Sequence, residues 1–260
     1  VTVGNGTGVG LRAVSTVGTV EDLVQFGRFA AGVGGEPLRA LDLYREPIRI
    51  QVVGRAGSGR TTTVRLLERA GFTDVFETAA VDAPGTADPE LDGDVVVYVL
   101  AGGLRTPDVE ALRRAPSAVT VAILGKADMH GSWAAAWAAV ACTTETGVPT
   151  VPMGAGPNTS SAPVGVDDMI VAVAGRVRNA QAARTRTLLR TLAETAARGP
   201  HRDAIEQYLR SDEAVSAAAR SAAARSAGAP PDGPANRHRA ESAVRRARVR
   251  DAVRTAAGRP

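Results

Sequence analysis

From Ile48 onward the apolar positions fall into short runs: Ile48 to Val53, Val75 to Val81, Val95 to Leu100, Ala118 to Leu124 and Thr150 to Met153. Short, mainly apolar runs of this kind read as buried strands. Between them the period changes to that of helices, at Thr61 to Ala70, at Pro107 to Arg114 with Thr106 as N-cap, and at Ser132 to Ala141. Strands alternating with helices predict an α/β fold around a mostly parallel sheet of about five strands. The flanks have another character. Val1 to Gly18 is rich in Gly and Thr and shows no sustained period. Thr19 caps a helix carrying Val20, Leu23, Val24, Phe26 and Phe29 that ends near Gly32, and a short helix from Glu36 to Tyr44 stops before Pro47. After Val166 no strand signal returns. Asp167 or Asp168 caps a long helix towards Ala197, Ser211 starts another, 228–236 reads as a linker, and Arg237 to Ala257 as a last basic helix. The expected division is therefore 1–47, 48–166 and 167–260.

Composition narrows the class. A chain of 260 residues with 44% hydrophobic positions is long enough to bury a core. The longest uncharged stretch, Thr146 to Val166, is broken by Gly147, Pro149, Pro152, Gly154, Gly156, Pro157 and Pro163, so no transmembrane segment is expected. No basic stretch precedes an apolar run at the start, and Cys142 is the only cysteine, which together predict a cytoplasmic location. Heavy use of Ala, Val, Gly and Arg fits the codon bias of a GC-rich genome.

Charge is unevenly placed. Residues 1–170 hold 13 basic and 19 acidic residues, whereas 171–260 hold 18 Arg against 8 acids, giving net charges of −6 and +10. The basic end suits an anionic partner, either a membrane surface or RNA; the alternative is a set of solvated helix faces. The last helix offers only Ala and Val as apolar residues, so attraction to an anionic surface there would be mainly electrostatic. Of the 31 basic residues only Lys126 is a lysine.

Gly54-Arg55-Ala56-Gly57-Ser58-Gly59-Arg60-Thr61 follows an apolar strand and opens a helix, matching the phosphate loop G-x-x-x-x-G-K-[ST] except for Arg60. In such a loop glycines at 54, 57 and 59 let the backbone N–H groups, with those of Ser58 and Thr62, curl around phosphate. Arg60 brings charge, and the Thr61 hydroxyl is placed for Mg²⁺. A guanidinium is bulkier than an ammonium and does not thread under the loop in the same way. The alternative is a glycine-rich strand-to-helix turn without a ligand. Val81-Asp82-Ala83-Pro84-Gly85 ends the second run, with Asp82 a candidate Mg²⁺ carboxylate through water and the Gly85 N–H a candidate γ-phosphate contact. Gly125-Lys126-Ala127-Asp128 ends the fourth.

The series resembles the P-loop GTPases, particularly Era-like and dynamin-like members, over roughly 48–166. The resemblance implies GTP or GDP with Mg²⁺ as ligands, Asp128 accepting hydrogen bonds from guanine, and the Lys126 stem packed on the base. It also implies a weak last motif in Met153-Gly154-Ala155-Gly156, matched through Ala155 alone. Three departures matter. Gly125 lacks the side chain that braces the base site. Asp82 follows Thr62 by only 20 residues, too few for switch I, with Thr73 and Thr78 the only nearby threonines. Thr86 follows Gly85 where the family can place a glutamine that orients water. The expectation is a regulatory guanine-nucleotide-binding protein with slow or absent hydrolysis. The alternatives are a nucleotide-free pseudo-GTPase scaffold for a partner protein, such as another GTPase or dynamin-like protein, and a P-loop ATPase or small-molecule kinase. Trp133 and Trp137 are expected to pack in the core or between helices, Cys142 to fill core space, and His130, His201 and His238 to be too scattered for a metal site.

Overall fold

A strand that is apolar at every position has two faces to bury, and the fold supplies a helical layer for each. The computed structural model describes residues 27, 29–127, 131–154, 164–199 and 201–228. After a helical stretch at 29–33 (α1) come α2 (Gly35–Arg45), β1 (Ile50–Gly54), α3 (Arg60–Arg69), β2 (Val75–Glu77), β3 (Val95–Ala101) and α4 (Thr106–Arg114). Then follow β4 (Thr120–Gly125), α5 (Gly131–Thr146), β5 (Thr150–Pro152), α6 (Val166–Arg198), α7 (Arg202–Leu209) and α8 (Asp212–Gly228). The five strands form one all-parallel sheet in the order β2-β1-β3-β4-β5, with Ile50 paired to Val75 on one side and Val95 on the other.

Alternation along each strand divides the core. Ile50, Val52, Val97, Val99 and Ile123 meet Leu67 of α3 and Met169, Val173 and Val177 of α6. Val53, Val96, Tyr98, Leu100 and Leu124 meet Leu112 of α4 and Ala139 and Cys142 of α5. Cys142 fills core space as expected, and burial pushes its thiol upward. Trp137, by contrast, is exposed on α5.

The expected α/β architecture with five strands is present, but several element ends move. The run from Val75 to Val81 is a strand only to Glu77. Thr78 N–H still bonds Val52 O (3.2 Å), yet the next matching bond, to Gly54 O, comes from Val81 N–H (3.1 Å), with an isolated bridge between Arg55 and Val81. One residue too many lies between these bonds, so the edge strand bulges and its ladder breaks. Thr78 therefore lies just beyond β2, outside the strand. The N-cap position of α4 is Arg105 rather than Thr106, and that of α6 is Gly165, with Asp167 and Asp168 inside the first turn. α5 runs on to Thr146, five residues past its expected end, and α7 is an element the sequence pattern did not suggest. Thr19, the linker at 228–236 except Gly228, and the basic helix from Arg237 lie outside the described residues.

No helix joins β2 to β3. Residues 78–94 instead cross the α4 side of β1, where the Gln51 amide, 2% exposed, holds them: its Nε2–H donates to Glu90 O (2.6 Å) and its Oε1 accepts from Gly93 N–H (3.1 Å). A polar residue in the middle of a buried strand needs such partners. Leu91 closes that face.

α6 serves two cores. Its first half covers the sheet, while Leu188, Leu192 and Ala196 join Ala30, Leu41 and Ile205 in a helical cluster. Where the two meet, Arg184 is buried and donates to the carbonyls of Glu46 and Pro47 and to Asp94 Oδ2 (2.7 Å). Asp94 also accepts from Arg49 N–H (2.9 Å), so one ion pair fastens α6 to the entry of β1 and the start of β3.

Candidate functional site

In an open parallel sheet, ligands bind beyond the carboxyl ends of the strands where the connections diverge. Here that point lies between β1, whose crossover leads outward to β2, and β3 on its other side. The segment Arg55–Gly59 opens there. Gly54 has φ 155°, and a Cβ on it would lie 2.3 Å from Val99 O, so the loop leaves β1 pressed against β3. Gly57 and Gly59 have φ 71° and 102°, backbone conformations that side chains with a Cβ disfavour. Gly59 is the N-cap of α3 and supplies no side-chain cap. The first-turn N–H groups of Arg60, Thr61 and Thr62 thus have no intrahelical acceptor, while Thr63 N–H bonds Gly59 O (3.0 Å). Ser58 is 2% exposed and its Oγ has no hydrogen-bond partner.

Neighbouring loops close on the same edge. A Cβ on Gly125 would stand 3.0 Å from Ser58 O and 3.1 Å from Leu100 O, so tight contact with the β1 loop leaves little room for a side chain there. Lys126 follows, exposed, with φ 56°. Ala127 N–H donates to Met153 O (3.1 Å), which ties this turn to the end of β5. Asp128 and Ala155 lie outside the described residues, as do His130 and His238 and the side chain of Trp133. His201 is exposed at the N-cap position of α7.

Asp82 is exposed in a left-handed conformation (φ 58°), and its N–H donates to Asp88 Oδ1 (2.8 Å). That bond, helped by Arg114, holds the Asp88 carboxyl below its ordinary value. Gly85 is exposed with φ 74°. Thr73 is exposed, and the Thr78 hydroxyl donates to Ala79 O.

The two arginines of the loop go in opposite directions. Arg55 Nε–H reaches both oxygens of Asp108 (3.0 Å each), which is fully buried on α4 and also accepts from Tyr98 O–H (3.0 Å) and Arg105 N–H (3.0 Å). Burial, then the Asp108 charge, holds the Tyr98 phenol well above its ordinary value. Arg60 instead turns outward to the end of β2. Its Nη1–H donates to Thr78 O (2.6 Å) and its Nη2 lies 3.3 Å from Glu77 Oε1, while the Thr61 hydroxyl donates to Glu77 Oε2 (2.7 Å). Arg60, assigned from sequence to phosphate, and Thr61, assigned to Mg²⁺, are thus both held by one carboxylate.

Glu77, Asp108 and Tyr98 did not stand out in the sequence. Tyr98 had a signal, being the one hydroxyl-bearing residue in Val95–Ala101. Asp108 had a weaker one, three residues after Arg105 in a helical first turn. Glu77 had none, because only the parallel pairing of β2 with β1 sets it beside the first turn of α3.

Fold and edge together define an α/β protein with a five-stranded all-parallel sheet and a glycine-hinged loop at the point where its connections diverge. No protein-family model, curated protein or solved structure matches the chain. Among the described residues, no helix is long and apolar enough to cross a membrane, and no three acidic, His or Cys side chains cluster as a metal site.

Proposed function

We propose that the chain binds a guanine nucleotide at the carboxyl edge of the sheet, hydrolyses it slowly or not at all, and acts as a regulatory protein. One observation carries the reading: the uncapped start of α3, the glycine-hinged loop and the Lys126 turn share that edge, with Gly125 against Ser58. Unpaired N–H groups at a helix start suit phosphate oxygens. The base preference rests on Lys126-Ala127-Asp128.

Mg²⁺ fits the donor chemistry of the Thr61 hydroxyl and the exposed Asp82 carboxylate, because hard cations take oxygen ligands. Thr61 would hold the ion with phosphate oxygens and Asp82 would reach it through water; once bound, it offsets phosphate charge. The chain's own part is to wrap the phosphates in backbone N–H groups and to place Arg60 beside them. Slow turnover is the expectation because Thr86, not an amide side chain, follows Gly85, and because α3 passes to β2 without a switch segment.

The scaffold reading has its own support, since Glu77 occupies both Arg60 and Thr61. Titration calorimetry of the full chain with GTP, GDP and ATP, each with and without Mg²⁺, decides among the readings. GDP is expected to bind more tightly than ADP, and Asp128→Asn to shift preference towards xanthine nucleotides, since an amide donates where the carboxylate accepted. Arg60→Ala is expected to weaken binding by about 1.5–3 kcal/mol, the range for a charge-assisted hydrogen bond. Equal affinity for guanine and adenine nucleotides would remove the guanine assignment and leave an ATPase or kinase; no binding of any would leave the scaffold and its partner protein.

A further inference from the structure

Among the described residues of the phosphate loop, Arg60 brings the cationic head that points away from the sheet core, and it is already neutralised. Its side chain is 13% exposed, and its guanidinium contacts Glu77 Oε1 and Thr78 O, while Thr61 occupies the other oxygen of the same carboxylate. The end of β2 supplies both acceptors of this arrangement. With the ladder broken past Thr78, the Thr78 carbonyl faces Arg60, and Glu77 sits at the strand's end beside the first turn of α3. A carboxylate bridging a loop arginine and a loop threonine makes the kind of contacts a phosphate would make to the same two groups.

We infer that Glu77 is the ligand-discriminating residue of this loop, an internal anion that an incoming phosphate must displace. The inference rests on the phosphate-loop reading and deepens it. A singly linked phosphate replaces the carboxylate with little gain in charge. A di- or triphosphate chain brings more negative charge and more oxygens, enough to take Arg60 from Glu77 while the α3 N–H groups hold the adjacent phosphate. The site therefore selects polyphosphate-bearing ligands over orthophosphate and simple carboxylates. Glu77 acts through Arg60 and Thr61 and is a positioning residue, not a contact to the ligand.

Calorimetry with inorganic pyrophosphate and orthophosphate, on the full chain and its Glu77→Gln and Glu77→Ala variants, tests this. Pyrophosphate affinity is expected to rise about tenfold in both variants, the scale of one charge-assisted contact released, and the preference for pyrophosphate over orthophosphate to narrow. In an Arg60→Ala background the gain from Glu77→Ala should vanish, because no guanidinium remains to be freed. A general change of field would leave that gain in place and overturn the assignment. Unchanged or weaker pyrophosphate binding in the variants, with GDP still bound by the native chain, would overturn the inference and leave the nucleotide reading standing. If neither pyrophosphate nor any nucleotide binds to native chain or variants, both fall.

Discussion

Two ion pairs hold the same loop, and their surroundings give them different work. On the inner side Arg55 meets Asp108, which is fully buried and bonded also to Tyr98 and Arg105. On the outer side Arg60 meets Glu77, which is about a third exposed at the end of a three-residue edge strand. Charge and residue type are nearly the same in both pairs, and both arginines are largely covered; burial of the carboxylate is what differs. A buried carboxylate deprived of its partners has no water to turn to, so the inner pair is fixed and sets the course of the loop. An exposed one exchanges partners at little cost, so the outer pair can give way to a ligand.

The largest expected effect tests the inner side. Asp108→Ala leaves the Arg55 guanidinium and the Tyr98 hydroxyl without their acceptor, and should cost about 3–5 kcal/mol in chemical denaturation. Glu77→Ala should cost about 1 kcal/mol or less in the same assay. Comparable losses would erase the distinction between the two pairs. Next comes Gly54→Ala, whose Cβ would meet Val99 O at 2.3 Å. Backbone must move to admit it, so a loss of about 1–3 kcal/mol or more is expected, together with weaker binding of the proposed nucleotide, because β1 and the loop shift as one. Gly103→Ala, whose Cβ meets nothing within 4 Å, is the control.

The smallest effect sharpens the electrostatics of the inner pair. The folded state keeps Tyr98 protonated well above the ordinary phenol value of about 10. Above that pH the unfolded chain loses a proton that the folded chain retains, so this contribution is intact below about pH 10 and falls as pH rises further. Tyr98→Phe should therefore be less stable than native at neutral pH, by about 1 kcal/mol for the lost hydrogen bond, and should narrow that gap in alkaline solution. Parallel stability curves for the two proteins from neutral to alkaline pH would argue against a buried phenol at this site.

Local pattern alone determined the alternation of strands and helices, the glycine-rich turn after β1 and the burial of Cys142, because apolar period and glycine placement act over a few residues. Ile50 to Leu124 could be divided into its strands from apolar runs, since parallel strands covered on both faces carry few polar positions to blur them, Gln51 and Thr120 among them. Yet the same reasoning carried β2 on to Val81, because Ala79, Ala80 and Val81 are apolar. Only pairing with β1 shows that an edge strand, held on one side, bulges after Thr78. α7 was likewise hidden, since eight residues with one buried apolar anchor, Ile205, form a helix by packing on α6 rather than by pattern. The site divides in the same way. Gly54, Gly57 and Gly59 were legible because positive φ is a local demand, whereas the directions taken by Arg55 and Arg60 were not. Their partners stand 53 and 17 residues away in the chain, and a long flexible side chain is aimed by whichever carboxylate the tertiary fold brings within reach.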